Sequence, residues 1–248
     1  MRKVTIDQIE LSYLGPPLSA GPLPTIFYFA LSADDTLLQD PYNQPISGLD
    51  LEKVRVFSCD LPEHEPPKSP YDAIKHWIEK LDSGSNFFET FLLRLKSSID
   101  HLLANHSILI NQLGFMGLSR GAFIACHIAS YFEAPLPIVG FSPLTKLSQV
   151  KEAKELSCHL NHLDLFQLID RLYNKQIQFY IGNKDSRVDS NLCAKLILDL
   201  AEKAFERGVK TPPIELKIFP SIGYMGHGTP KTIFIEGSRC LFSKIYHE

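Results

Sequence analysis

The sequence has no run of about 18 apolar residues, the length a membrane-crossing helix needs. Its first residues, Met1 to Asp7, carry positive charge. Asp7 and Glu10 then interrupt before any long apolar core, so no secretory signal is expected. An excess of positive charge is also missing. Lys and Arg number 25 against 28 Asp and Glu, a net charge of −3, which gives no field to attract nucleic acid or an anionic membrane. C-x-x-C spacing is absent. Cys59, Cys126, Cys158, Cys193 and Cys240 are scattered and odd in number, as expected of reduced, mostly buried thiols in a cytoplasmic protein. Cys158-His159-Leu160-Asn161-His162-Leu163-Asp164 has a superficial look of metal ligands. Zinc requires three or four converging ligands, and without a second pair elsewhere the segment reads as a polar helix face. No metal, no organic cofactor, no internal repeat and no low-complexity segment is expected.

Apolar runs and helical patterns alternate along the chain. Ile26 to Leu31 and Val54 to Cys59 are continuous aliphatic and aromatic runs, as expected of strands buried on both faces of a parallel sheet. Leu113 to Met116, Pro137 to Phe141, Ile177 to Ile181 and Ile214 to Phe219 extend the series, and Val4 to Leu14 reads as one edge strand. Phe88, Leu92, Leu95, Ile99 and Leu102 fall at helical spacing behind a capping box formed by Asn86 and Glu89. Ala122 to Phe132 and Leu192 to Arg207 also read as helices, and Thr229-Pro230 as the start of a terminal one. The expectation is a single α/β domain over residues 1–248, a mostly parallel sheet flanked by helices. A charged, helical insertion interrupts it at residues 144–174.

Within this frame Gly117-Leu118-Ser119-Arg120-Gly121 forms a G-x-S-x-G pentapeptide between a strand and a helix. Small residues on either side let strand and helix approach, and the sharp turn lifts the serine hydroxyl clear of the sheet. Free N–H groups at the helix start then stand beside it. In parallel sheets, sites gather at the carboxyl ends of the strands. Asp185 stands there after one late strand, and His227, in Gly223-Tyr224-Met225-Gly226-His227-Gly228, after the last. A serine hydroxyl is a poor nucleophile until a neutral imidazole takes its proton. The imidazole in turn needs a carboxylate to hold its tautomer.

The chain order Ser, Asp, His on this pattern resembles the α/β-hydrolase superfamily over nearly the whole length. Asp60-Leu61-Pro62-Glu63-His64-Glu65 resembles that superfamily's Asp-x-Pro-Gly-His-Gly loop, and Gly182-Asn183-Lys184-Asp185-Ser186-Arg187-Val188 its acid-bearing Gly-x-x-Asp-x-x-Val. The style is that of small esterases of the dienelactone-hydrolase and prolyl-oligopeptidase-like kind. The resemblance implies Ser119 as nucleophile, His227 as proton shuttle and Asp185 as its orienting acid. It also implies an oxyanion hole from the backbone N–H groups of Arg120 and Leu31. The implied activity is hydrolysis of a carboxylic ester or thioester through an acyl-serine, on a small-molecule substrate. A non-catalytic binding protein of the same fold, a small peptidase and an acyltransferase are the alternatives.

Two departures stand out. Phe29-Ala30 replaces the usual His-Gly, and both loop glycines are glutamates, Glu63 and Glu65, read either as an acidic rim at the mouth or as solvated charge. Asp189 competes with Asp185 but reads as the cap of the next helix. His64 takes a structural position, and Cys126 reads as inert core. Arg120 is read as a salt bridge at its helix start, with contact to an acidic substrate group as the other reading. Leu156, Leu160, Leu163, Phe166 and Leu168 of the insertion are expected to form a helical roof, with Phe166 facing the substrate.

Overall fold

The computed structural model describes residues 1–65, 67–153 and 160–246. Eight strands form one sheet: β1 (Arg2–Ile6), β2 (Ile9–Leu14), β3 (Thr25–Phe29), β4 (Arg55–Ser58), β5 (Leu113–Leu118), β6 (Pro137–Phe141), β7 (Gln176–Gly182) and β8 (Ile214–Phe219). Their spatial order is β1-β2-β4-β3-β5-β6-β7-β8. β2 runs antiparallel to both its neighbours, and all pairs from β4 to β8 are parallel. The helices are α1 (Ala33–Leu38), α2 (Ala73–Asp82), α3 (Phe87–Ala104), α4 (Arg120–Ala129), α5 (Ile169–Leu172), α6 (Ser190–Glu206) and α7 (Lys231–Ile245). None is long and apolar enough to cross a membrane.

The central strands carry apolar residues on both faces because both faces are covered. In β3, Phe27 and Phe29 enter the core shared with α2, α3, α4 and α6. Ile26 and Tyr28 enter the opposite core, closed by α7. On the first face Tyr13, Phe57, Phe27 and Phe115 sit at matched registers on β2, β4, β3 and β5. Their rings follow one another at centroid distances of 4.8, 5.1 and 6.0 Å. Cross-strand aromatic pairs of this kind lock register as well as bury surface.

The structure departs from the sequence expectations at four places. The segment Val4 to Leu14 is a hairpin rather than one strand: Asp7 and Gln8 take φ values of 47° and 65°, the conformation a tight two-residue turn requires. Asn86 does precede α3, but its φ/ψ of −90°/22° lies away from the extended region a capping side chain uses, and no capping bond forms. At α7 the capping position falls on Pro230, while the Thr229 hydroxyl pairs with Ser142 Oγ at 3.3 Å. The described part of the insertion is a chain of single 3₁₀ turns, Leu147–Gln149, Lys151–Ala153, Asn161–Leu163 and Leu165–Leu168, leading into the one-turn α5. Its Leu160, Leu165, Leu168 and Leu172 are drawn into the main core, which leaves too little apolar surface to hold independent helices. Leu156 lies outside the described residues.

Arg55, at the start of β4, is fully buried. Its Nε donates to Pro16 O at 2.9 Å, Nη1 to Ser107 O at 2.9 Å, and Nη2 to Pro17 O at 2.6 Å and Gly21 O at 2.7 Å. One guanidinium thus ties the loop before β3 and the turn after α3 to the sheet. Arg55→Met keeps the stem but abandons four carbonyls in a dry interior, so it is expected to cost at least about 3 kcal/mol. The urea midpoint of purified protein measures this. A loss below about 1 kcal/mol would mean that water replaces the guanidinium at those carbonyls.

Candidate active site

The chain passes from β5 to α4 through Ser119 alone, with φ 55° and ψ −115°. A non-glycine residue in that region is strained, and its neighbours hold it there. The Ser119 N–H donates to Phe141 O at 2.8 Å, and its carbonyl accepts from Leu144 N at 3.1 Å. The flanking glycines are sterically required. A Cβ on Gly117 would come within 2.2 Å of Ala122 N, and one on Gly121 within 1.8 Å of Phe29 O.

Ser119, Asp185 and His227, far apart in the chain, are brought together at the carboxyl edge of β5, β7 and β8. His227 Nε2 lies 2.9 Å from Ser119 Oγ, and His227 Nδ1 2.7 Å from Asp185 Oδ2. A carboxylate only accepts, so the ring proton sits on Nδ1 and Nε2 is left to accept from the serine hydroxyl. The Asp185 side chain is fully buried, and its Oδ1 accepts from Arg187 N at 3.0 Å and Val188 N at 3.2 Å. The His227 loop is pinned to the Asp185 loop. Ser186 N donates to Met225 O at 2.9 Å, and Gly226, at φ 73°, lies so close to Lys184 O that a Cβ would come within 2.2 Å. Asp189 takes the role read for it, accepting from Asn191 N at 2.8 Å at the start of α6.

Of the two backbone donors expected beside Ser119, the Arg120 N–H has no partner among the described residues. Leu31 does not stand free. Its N–H donates to Thr36 Oγ1 at 3.1 Å, inside the turn where Ser32 caps α1. The glycine-free Phe29-Ala30-Leu31 segment thus closes on α1 instead of leaving a donor open.

A cavity of about 680 Å³ opens beside Ser119. Ile74, Leu144, Val150 and Val188 give it apolar wall, and Arg120, Lys146, Lys151 and Arg187 bring positive charge. The Arg120 side chain is buried, and burial together with the nearby charge of Arg187 pushes its pKa down to about 10, still protonated at neutral pH. Its Nη1 donates to Pro70 O at 2.8 Å and to His64 Nε2 at 3.0 Å. His64 can accept because burial, reinforced by the Arg120 charge, holds it neutral with a pKa lowered to about 4, and because its Nδ1–H is given to Pro62 O at 2.8 Å. The expected salt bridge at the start of α4 is not formed. Arg120 is in no ion pair among the described residues and is held by neutral acceptors.

The acidic rim is corrected too. Glu63, at φ 64° where the resembling loop has glycine, is buried and paired with Lys68 at 3.0 Å and with Lys80. Glu63 and Glu65 line a different depression, away from Ser119. Phe166 is not in the cavity wall. It is half-buried, with Lys146 Nζ 4.7 Å and Lys195 Nζ 5.8 Å from its ring centroid. Cys126 is buried and its thiol pushed up to about 12 by burial, the opposite of activation. Of the segment that looked metal-binding, Cys158 and His159 lie outside the described residues, and Asp164 accepts from Ser148 N at 3.1 Å and Oγ at 2.7 Å. Among the described residues no three metal-ligating side chains converge.

No family model and no curated protein sequence matches the chain. Solved structures do. TT1662 from Thermus thermophilus superposes with a TM-score of 0.69 at 12% identity, covering 100% of this chain and 98% of the other. Est1E from Butyrivibrio proteoclasticus with ferulic acid bound gives 0.65 at 10% identity and 99% of each chain. A putative dienelactone hydrolase from Klebsiella pneumoniae subsp. pneumoniae MGH 78578 gives 0.59 at 14%, covering 88% and 84%. With this strand order, a sharp strand-to-helix turn at Ser119 and these neighbours, the chain has the α/β-hydrolase fold.

Proposed function

We propose that this protein is a serine hydrolase that cleaves carboxylic esters or thioesters through an acyl-Ser119 intermediate. The observation that carries the reading is the unbroken hydrogen-bond chain from Ser119 Oγ through His227 to a fully buried Asp185, 2.9 and 2.7 Å long. As the hydroxyl attacks a carbonyl carbon, its proton passes to His227 Nε2, and Asp185 Oδ2 stabilises the imidazolium through the Nδ1 proton. The carbonyl oxygen becomes an oxyanion and meets the free Arg120 N–H, already aimed by α4, so no reorganisation is needed as charge develops. The His227 proton then leaves with the alcohol or thiol. A water, deprotonated by the same nitrogen, releases the acid. The esterases and hydrolases among the structural neighbours support a small-molecule substrate for this site.

Ser119→Ala is expected to fold normally, to stop labelling by a fluorophosphonate probe, and to lower nitrophenyl-ester turnover by at least about a thousandfold. Equal turnover by purified variant and parent would remove the assignment.

The acid is tested by ranking two neighbours. Asp185→Asn leaves the ring in the wrong tautomer and is expected to cost about 10⁴-fold in kcat. Asp189→Asn, which keeps a good helix cap, is expected to stay within about threefold. The reverse order, measured under saturating ester, would transfer the role to Asp189.

A further inference from the structure

The charge in the cavity beside Ser119 has no counterpart in the reaction chemistry just described, which uses only the Arg120 backbone. Elsewhere several cations sit in ion pairs: Lys3 with Glu10, Lys80 with Glu63, Lys195 with Asp199, Lys203 with Asp170, Lys217 with Glu236. Among the described residues Arg120, Lys146, Lys151 and Arg187 are in no ion pair, although all four line one cavity. The carboxylates in the same wall are Glu152, which is exposed and likewise unpaired, and Asp189, which caps α6.

Arg120 is the most constrained of the four. It is nine-tenths buried, and His64 and Pro70 take both protons of Nη1. Its Nε and Nη2 protons have no partner among the described residues. Three of the guanidinium's five N–H donors are thus left for acceptors that enter the cavity Arg120 lines. Arg187 lines the same cavity, and its like charge acts on Arg120 with Glu152 opposing it, so an anion seated there would meet both guanidinium groups. Lys146, whose Nζ lies 4.7 Å from the Phe166 ring centroid, also lines the cavity. His64, kept neutral, donates its one ring proton from Nδ1 to Pro62 O and accepts from Arg120 at Nε2, which helps fix the guanidinium.

We propose that Arg120 and Arg187, with Lys146 at the rim, form a seat for an anionic oxygen group, carboxylate or phosphate, on the substrate of Ser119. The preferred esters therefore carry a negative charge on the acyl or leaving part. The inference rests on the serine-hydrolase reading and narrows it to a substrate class. Guanidinium suits this role because its planar fork donates two parallel bonds to either oxyanion.

Two matched ester pairs test it on the purified protein: mono-4-nitrophenyl glutarate against 4-nitrophenyl pentanoate, and 3-carboxy-4-nitrophenyl acetate against 4-nitrophenyl acetate. In at least one pair the anionic ester is expected to have the higher kcat/KM, by about tenfold or more. That ratio is expected to collapse by a similar factor in Arg187→Gln and in Arg120→Gln, and to stay put in Lys217→Gln, which pairs with Glu236 outside the cavity lining. Since Arg120 is buried and its variant could unfold, the half-buried Arg187 and Lys146→Gln carry the test independently. Glutarate and inorganic phosphate, titrated against 4-nitrophenyl acetate hydrolysis, tell the two oxyanions apart by which one competes. A charge preference, or competition by either anion, that the arginine variants abolish supports the seat. Absence of both overturns it. Fluorophosphonate labelling of Ser119 separates the two readings: labelling without charge preference removes only the anion seat, whereas no labelling removes both.

Discussion

Residue 121 has no room for a side chain, because the Phe29 carbonyl oxygen lies 1.8 Å from where its Cβ would be. That contact sets the depth at which α4 meets β3 and β5, and much of the site follows from it. With α4 so close, one residue must turn the chain from strand to helix, and Ser119 takes a φ of 55° to do so. The cost of such a conformation, about 1 to 3 kcal/mol, is borne by the surrounding packing. The same turn sets the Arg120 N–H free beside the hydroxyl and sends the Arg120 side chain down into the cavity wall.

The acid and the imidazole depend on sheet register in a similar way. β6, β7 and β8 pair in parallel, so the loops after β7 and β8 leave the same edge and can bond to each other. The Ser186 to Met225 bond and the tight Gly226–Lys184 approach convert two flexible loops into one platform. On that platform the Asp185 carboxylate accepts three hydrogen bonds: one oxygen takes two backbone protons, the other the imidazole's.

Charge tells a different story from the one its local sequence suggests. Glu63 and Glu65 stand in a loop that in the resembling proteins borders the site, yet Lys68 and Lys80 neutralise Glu63 and both face another depression. The cavity is instead edged by cations drawn from two separate loops and a helix start. Lys68 belongs to the loop itself, but Lys80 comes from α2, a helix the sequence pattern did not single out, so only part of the neutralisation could be read locally.

The fold and the convergence of Ser119, Asp185 and His227 were legible because their causes are local. Unbroken apolar runs report strands buried on both faces, small residues around Ser119 report a turn, and the order Ser, Asp, His along the chain reports which strand ends carry them. The hairpin turn at Asp7-Gln8 was missed because neither residue is a glycine, and the capping box at Asn86 failed because composition does not state φ and ψ. What only the tertiary structure decided are the contacts between segments with no local cue: Thr36 closing on the Leu31 N–H, the insertion's leucines drawn into the main core, Phe166 packing under Lys146, and Arg120 held by His64 and left without a carboxylate. A partner for a donor or a charge is chosen by whichever groups the packed chain brings within about 3 Å, and one-dimensional order carries that information only when both partners lie on the same element.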